Sequence, residues 1–179
     1  NTVDSQKLMR QLEAGGYSVT SESADPADIV VINTCGFIHD AKEESVDTII
    51  RHAEAIRKEG RGKLFVMGCL VERYRKELSD SLPEVDGWFG VNRPQEIISH
   101  LGLAYRRELN GERVITGPSH YAYLKVSEGC DRTCAFCAIP DIRGRYISTP
   151  VEELVEEARK LADGGVRELI LIAQDLTLY

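Results

Sequence analysis

The sequence predicts an α/β protein with parallel sheets, on two observations. Two uninterrupted apolar runs, Asp28-Ile29-Val30-Val31-Ile32-Asn33 and Lys63-Leu64-Phe65-Val66-Met67, lack the alternation of a half-exposed strand and read as strands buried on both faces. An amphipathic helical stretch separates them, and the same strand, helix, strand rhythm returns between residues 121 and 173.

Residues 3–14 place Leu8, Met9 and Leu12 on one helical face and stop at Gly15-Gly16. Residues 17–20 read as a short strand, and a turn around Asp25-Pro26 leads into the first buried run, which ends at Thr34-Cys35-Gly36. Residues 38–59 then carry Val46, Ile49, Ile50, Ala53 and Ile56 at helical spacing, with Asp40, Glu43 and Glu44 near the start, where the helix dipole favours acids. Gly60-Arg61-Gly62 breaks that helix, and the second buried run ends at Gly68-Cys69. A helix over about 71–78, a short segment around Trp88-Phe89 and a helix over 94–101 complete a flavodoxin-like parallel-sheet domain, set at residues 1–104.

The rhythm lapses over 102–120, where Asn110-Gly111 and Gly117-Pro118 mark turns, so the segment is expected to be a linker or hairpin between domains, the linker set at residues 105–120. Residues 121–126 alternate as a strand does. After a cysteine-bearing loop, Thr149-Pro150-Val151-Glu152 opens a helix with threonine as the expected N-cap. Its apolar stripe is Val151, Leu154, Val155, Ala158, Leu161 and Ala162, and Gly164-Gly165 ends it. A second buried strand over 168–173 leads to Gln174-Asp175. Strand, loop, helix, strand is the first unit of a β/α barrel, and two strands cannot close one, so residues 121–179 are expected to be a truncated part of a longer barrel domain.

The 179 residues suffice for a sizeable core, and 42% hydrophobic with 28% charged content is ordinary for a soluble globular chain. A net charge of −7 gives no general attraction for a nucleic-acid backbone, so nucleic acid is expected as a partner only indirectly. No apolar run approaches a membrane span and nothing resembles a signal peptide, which favours a cytoplasmic address with no membrane partner; the first residue is Asn1 and not Met, so a targeting segment cut away upstream is the competing expectation.

Five cysteines carry the chemistry. Cys130, Cys134 and Cys137 form CxxxCxxC directly after the strand at 121–126. Three thiolates on one loop can each hold a different iron of a cubane cluster, leaving one iron open to chelate a small molecule. Zinc is the alternative, although structural zinc takes four ligands and His120 would have to reach across a whole strand to complete the set. Cys35 and Cys69 each follow a buried strand, where ligands of parallel sheets gather; the pair reads equally as metal ligands or as small buried apolar residues.

The CxxxCxxC spacing is similar to that of the radical S-adenosylmethionine enzymes. The resemblance implies a [4Fe-4S] cluster on Cys130, Cys134 and Cys137 whose open iron binds S-adenosyl-L-methionine, and a 5'-deoxyadenosyl radical formed when the reduced cluster cleaves it. Asn33-Thr34-Cys35 and Gly68-Cys69 further resemble two of the three auxiliary-cluster motifs of the methylthiotransferases within that superfamily. Asn1-Thr2-Val3-Asp4-Ser5 matches the residues just after the first such motif, which places the third auxiliary thiolate a few positions upstream. Two [4Fe-4S] clusters and S-adenosyl-L-methionine are the cofactors so implied.

The stretch from Tyr121 to Cys130, the stretch Thr34-Cys35-Gly36-Phe37-Ile38 and Ala173-Gln174-Asp175 resemble the methylthiotransferase branch that modifies an aspartate β-carbon in a small-subunit ribosomal protein. Leu176 departs from that branch's commonest residue. The implied partners are that ribosomal protein, an electron donor and a sulfur donor. The alternatives are the branch that modifies adenosine in tRNA and a non-catalytic iron-sulfur or zinc module. The resemblance sets Phe136 beside the adenine, against a reading as core aromatic. Gln174 and Asp175 end a barrel strand, where they contact cofactor or substrate or else cap a turn. Arg143-Gly144-Arg145 reads as a solvated loop in preference to a carboxylate-binding one, and His39, His52 and His100 as surface or packing residues.

Overall fold

The computed structural model describes residues 1–23 and 25–179. In chain order its elements are α1 (Thr2–Ala14), β1 (Ile29–Thr34), α2 (His39–Glu59), β2 (Lys63–Gly68), α3 (Cys69–Ser81), β3 (Gly87–Phe89), α4 (Pro94–His100), β4 (Tyr121–Lys125), β5 (Ser127–Glu128), α5 (Ile139–Arg143), β6 (Ile147–Ser148), α6 (Val151–Asp163) and β7 (Glu168–Ile172), with 3-10 turns at Arg107–Leu109 and Leu176–Leu178. They form two compact units: Asn1 with Glu22–Arg93, and Thr2–Ser21 with Pro94–Tyr179.

The first unit is a parallel sheet in the order β1-β2-β3. Residues 64–68 of β2 are all buried, as a central strand covered on both faces requires. Ile32, Ile49, Ala53, Leu64, Val66, Val71 and Val85 make one apolar core between the sheet and its helices. Ile49, Leu64 and Val66 are fully buried, and each stabilises the unit by about 1.5–3 kcal/mol relative to an exposed side chain. The α/β class and parallel sheet expected from the buried runs are borne out. The strand expected at 17–20 does not form: Tyr17 N–H donates to Leu12 O at 3.1 Å, finishing α1, and no neighbouring strand among the described residues pairs with it.

The second unit is built on β4 and β7, parallel in the register Tyr121↔Glu168 to Lys125↔Ile172, with α6 as the crossover. Ala122, Leu161 and Val166 pack as one cluster, and Leu124, Val126 and Leu154 as another. The apolar stripe of α6 is only partly used, since Val151 and Val155 are exposed while Glu157 is buried. β7, expected to be buried, leaves Leu169 and Leu171 exposed together on one face of its two-stranded sheet. Thr149 is not the N-cap of α6: its N–H donates to Val126 O at 2.9 Å, which holds it extended, and Pro150 occupies the cap position without a side-chain bond.

The compact units also differ from the division 1–104, 105–120 and 121–179. Residues 102–120 are fastened to α1. Gln11 donates to Arg106 O at 2.8 Å and accepts from Arg106 N–H at 3.0 Å, and Val114 N–H donates to Gln6 O at 3.2 Å. The Arg113 side chain is fully buried, beside the Glu157 carboxylate at 3.6 Å, and donates to Tyr123 O. These two buried glutamines and one buried arginine side chain explain why α1 and the expected linker fold with the later strands.

Candidate metal centres

A short antiparallel ribbon sets up the cysteine loop of the second unit. β5 and β6 pair Ser127 with Ser148 and Glu128 with Ile147, so the chain leaves and returns at one place. Cys130 N–H donates to Gly144 O at 3.1 Å just inside that closure. Gly129 makes it possible: its φ is +75° and a Cβ there would lie 2.1 Å from Arg145 O.

Within the loop Cys130 is buried, Cys134 and Cys137 are exposed, and none of the five cysteines is in a disulfide. Cys137 N–H donates to Cys134 O at 3.3 Å in a turn, and Arg132 N–H donates to Cys130 Sγ at 3.4 Å. Among the described residues no three His, Cys, Asp or Glu side chains are gathered closely enough to hold an ion, so the three thiols share a loop without being assembled into a coordinating set. The donor set nevertheless fits an iron-sulfur cluster in number and kind. It lies beyond the carboxyl ends of two parallel strands, where such sheets bind their ligands.

Phe136 is completely exposed with φ +66°, in the left-handed region that bulky residues avoid. It is therefore not the core aromatic that was one of its two readings. Gln174 Oε1 is buried with no hydrogen-bond partner among the described residues, a costly state unless something else meets it. Asp175 is engaged on both oxygens: Oδ1 accepts from Thr177 N–H at 3.0 Å and Oγ1 at 2.6 Å, and Oδ2 accepts from Arg132 Nε at 2.7 Å. Those bonds from Thr177 and Arg132 hold the Asp175 carboxyl below the ordinary value of 3.8.

Sequence reasoning missed a four-charge cluster beneath the loop. Asp4 of α1 and Glu128 of β5 face Lys125 and Arg143. The Lys125 ammonium bonds Asp4 and lies 2.7 Å from Glu128 Oε2, and Arg143 Nη1 lies 3.2 Å from Asp4 Oδ2 and 3.4 Å from Glu128 Oε2. Burial alone would raise the Asp4 carboxyl, but the charge and hydrogen bond of Lys125 outweigh it, and the net shift is downward. Burial likewise opposes the charge on Lys125, and Asp4 and Glu128 reverse this and raise it. Arg143 is thus buried at 8% exposure and neutralised, so it is not part of a solvated loop. Arg145 is exposed, as that reading expected. The sequence signal was a charged pair, Lys125 and Glu128, five and two residues before Cys130.

In the first unit, Cys35 and Cys69 follow adjacent parallel strands whose last pair is Thr34↔Gly68. Gly68 has φ +107°, and a Cβ there would lie 2.5 Å from Thr34 O, so the two strand ends are in backbone contact. Cys69 is buried and Cys35 half-buried. Ser45 Oγ accepts from Cys35 N–H at 3.2 Å and donates to Ala41 O at 2.7 Å. Asn1 sits against both ends, donating to Thr34 O at 3.0 Å, accepting from Asn33 Nδ2 at 3.0 Å and contacting Cys69 Sγ at 4.0 Å. The structure therefore brings the two cysteine loops together, as their strand-end positions implied. His39 is exposed on α2, consistent with a surface role.

Comparison with known proteins places these sites in context. Residues 1–90 match the family model described as uncharacterized protein family UPF0004, and residues 124–179 match that of the radical SAM superfamily. Over its full length the chain is 55% identical to a protein of Phocaeicola vulgatus, 54% identical to one of Bacteroides fragilis and 52% identical to one of Chlorobium limicola, each named ribosomal protein uS12 methylthiotransferase RimO. It spans 42% of the length of each of these relatives. The resemblance carried by the cysteine motifs is borne out by these matches, the radical SAM model over residues 124–179 among them, and the chain belongs to the UPF0004 family.

Proposed function

We propose that this chain is part of a RimO-like radical SAM methylthiotransferase, which adds a methylthio group to an aspartate β-carbon of ribosomal protein uS12. The observation that carries the reading is the placement of Cys130, Cys134 and Cys137 on one pinned loop beyond the ends of β4 and β7. The similarity to proteins named for uS12 supports a ribosomal protein over tRNA as substrate.

Cys130, Cys134 and Cys137 would hold one [4Fe-4S] cluster. Cys35 and Cys69, on strand ends that Asn1 touches, would contribute to a second. When bound, the clusters and S-adenosyl-L-methionine supply the reducing electron, the radical, the methyl group and the sulfur site. The chain's own task is placement. Phe136 offers an exposed aromatic face, Gln174 an unmet buried oxygen, and Asp175 its carboxylate at the end of β7, and these three are the residues proposed on the cofactor side. An electron donor and a sulfur donor complete the partners, and ribosomal substrate implies a cytoplasmic address; no helix of the described residues is long and apolar enough to cross a membrane. As sequence modules, residues 1–104 and 121–179 with 105–120 between them are supported by the separate family-model spans.

The test is anaerobic incubation of the reconstituted full-length protein with uS12, reductant, a sulfur source and S-adenosyl-L-methionine. A methylthio mass gain on one aspartate, abolished by Cys130→Ala, is expected. Modification of tRNA adenosine instead, or zinc without iron or sulfide, would overturn the reading.

A further inference from the structure

Arg132 stands between Cys130 and Cys134, and its side chain leaves the loop to reach the turn that follows β7. Its Nε donates to Asp175 Oδ2 at 2.7 Å and its Nη2 to Thr177 Oγ1 at 3.1 Å, while Asp175 Oδ1 is itself fixed by Thr177. The ribbon of β5 and β6 fastens the loop at its base, and this fork fastens it at its middle. β7 cannot shift beneath it, being held in register with β4 over five residue pairs.

We propose that Arg132 and Asp175 are positioning residues for the cysteine loop: their ion pair stretches the segment from Cys130 to Cys134 across the carboxyl ends of β4 and β7 and sets the spacing of the thiolates. The inference rests on the reading that this loop takes an iron-sulfur cluster. It gives the Asp175 carboxylate, already engaged by Thr177 and Arg132, a positioning role toward the loop that bears the cluster's ligands. A planar guanidinium suits the role because its Nε and Nη2 meet a carboxylate and a hydroxyl in one fixed geometry, which an ammonium cannot reproduce.

The two functions of Asp175 are separable. Asp175→Asn keeps an oxygen to cap Thr177 but removes the charge that holds Arg132, whereas Asp175→Glu keeps the charge. Arg132 is about half exposed, at 53%, so its replacement leaves the core untouched. The experiment uses the full-length protein with Cys35 and Cys69 replaced by alanine, so that the iron retained against a chelator reports the loop. Iron affinity is expected to fall about 10- to 100-fold in Asp175→Asn and Arg132→Gln, the range seen when groups that orient metal ligands are lost. The double variant should be no worse than either single one, Asp175→Glu should recover most of the loss, and the electron paramagnetic resonance signal of the reduced cluster should change in the single variants. Equal iron affinity and an unchanged signal in all variants would overturn the inference while leaving the cluster reading intact. Absence of iron from the parent protein would overturn both.

Discussion

Glu128, two residues before Cys130, and Arg143, six residues after Cys137, meet with Oε2 and Nη1 3.4 Å apart. The ends of the cysteine loop are thereby joined by charge as well as by the β5 and β6 ribbon. Asp4 and Lys125 complete the cluster, and every member has an opposite charge in contact, which is the condition for burying ions without a large penalty.

Arg143→Met should cost about 3 kcal/mol, the lower end of the range for breaking a buried pair, because Lys125 remains against both carboxylates. Urea unfolding of the full-length protein measures this. A change under 1 kcal/mol (about the worth of an exposed pair) would mean the cluster is not closed to water.

The contribution of Asp4 should depend on pH in a defined direction. Its folded value lies below 3.8, so its stabilisation is present above that pH and is lost as pH falls through the lowered value. Lys125 lies above 10.5, so its contribution holds below that pH and is lost as pH rises through the raised value. The stability gap between the native protein and Asp4→Asn should be flat from about pH 5 to 9 and close at lower pH. A gap that persists undiminished at acid pH would contradict the assignment.

Gly129→Ala should disable the loop. The substitution strains a backbone at φ +75° by about 1–2 kcal/mol and drives a Cβ against Arg145 O. Faster proteolysis between residues 129 and 146 and lower iron content are expected, with helix content by circular dichroism retained.

Glu157 faces the fully buried Arg113 side chain at 3.6 Å and Lys7 at 2.9 Å. Glu157→Ala leaves a buried guanidinium without its counterion and should cost about 3–5 kcal/mol, whereas Glu157→Met combined with Arg113→Met should recover much of that loss. A double-mutant cycle on melting curves distinguishes this coupling from two independent losses.

The apolar runs, the glycine stops and the cysteine spacing were legible along the chain because each is a local property: buried strands lack alternation, helices repeat every 3.6 residues, and thiol ligands on one loop announce themselves by their spacing. Cys35 and Cys69 were also legible as neighbours, since strands of a parallel sheet carry their loops to one edge. The assignment of α1 to the second unit was not. It depends on Gln6, Gln11 and Asp4, polar residues whose partners Val114, Arg106 and Lys125 lie far away in sequence. Periodicity records which face of a helix is apolar, but hydrogen bonds and ion pairs between distant residues leave no period. Only the folded chain decided that Arg143 is a buried counterion, that Phe136 is open to solvent, and that Arg132 reaches Asp175.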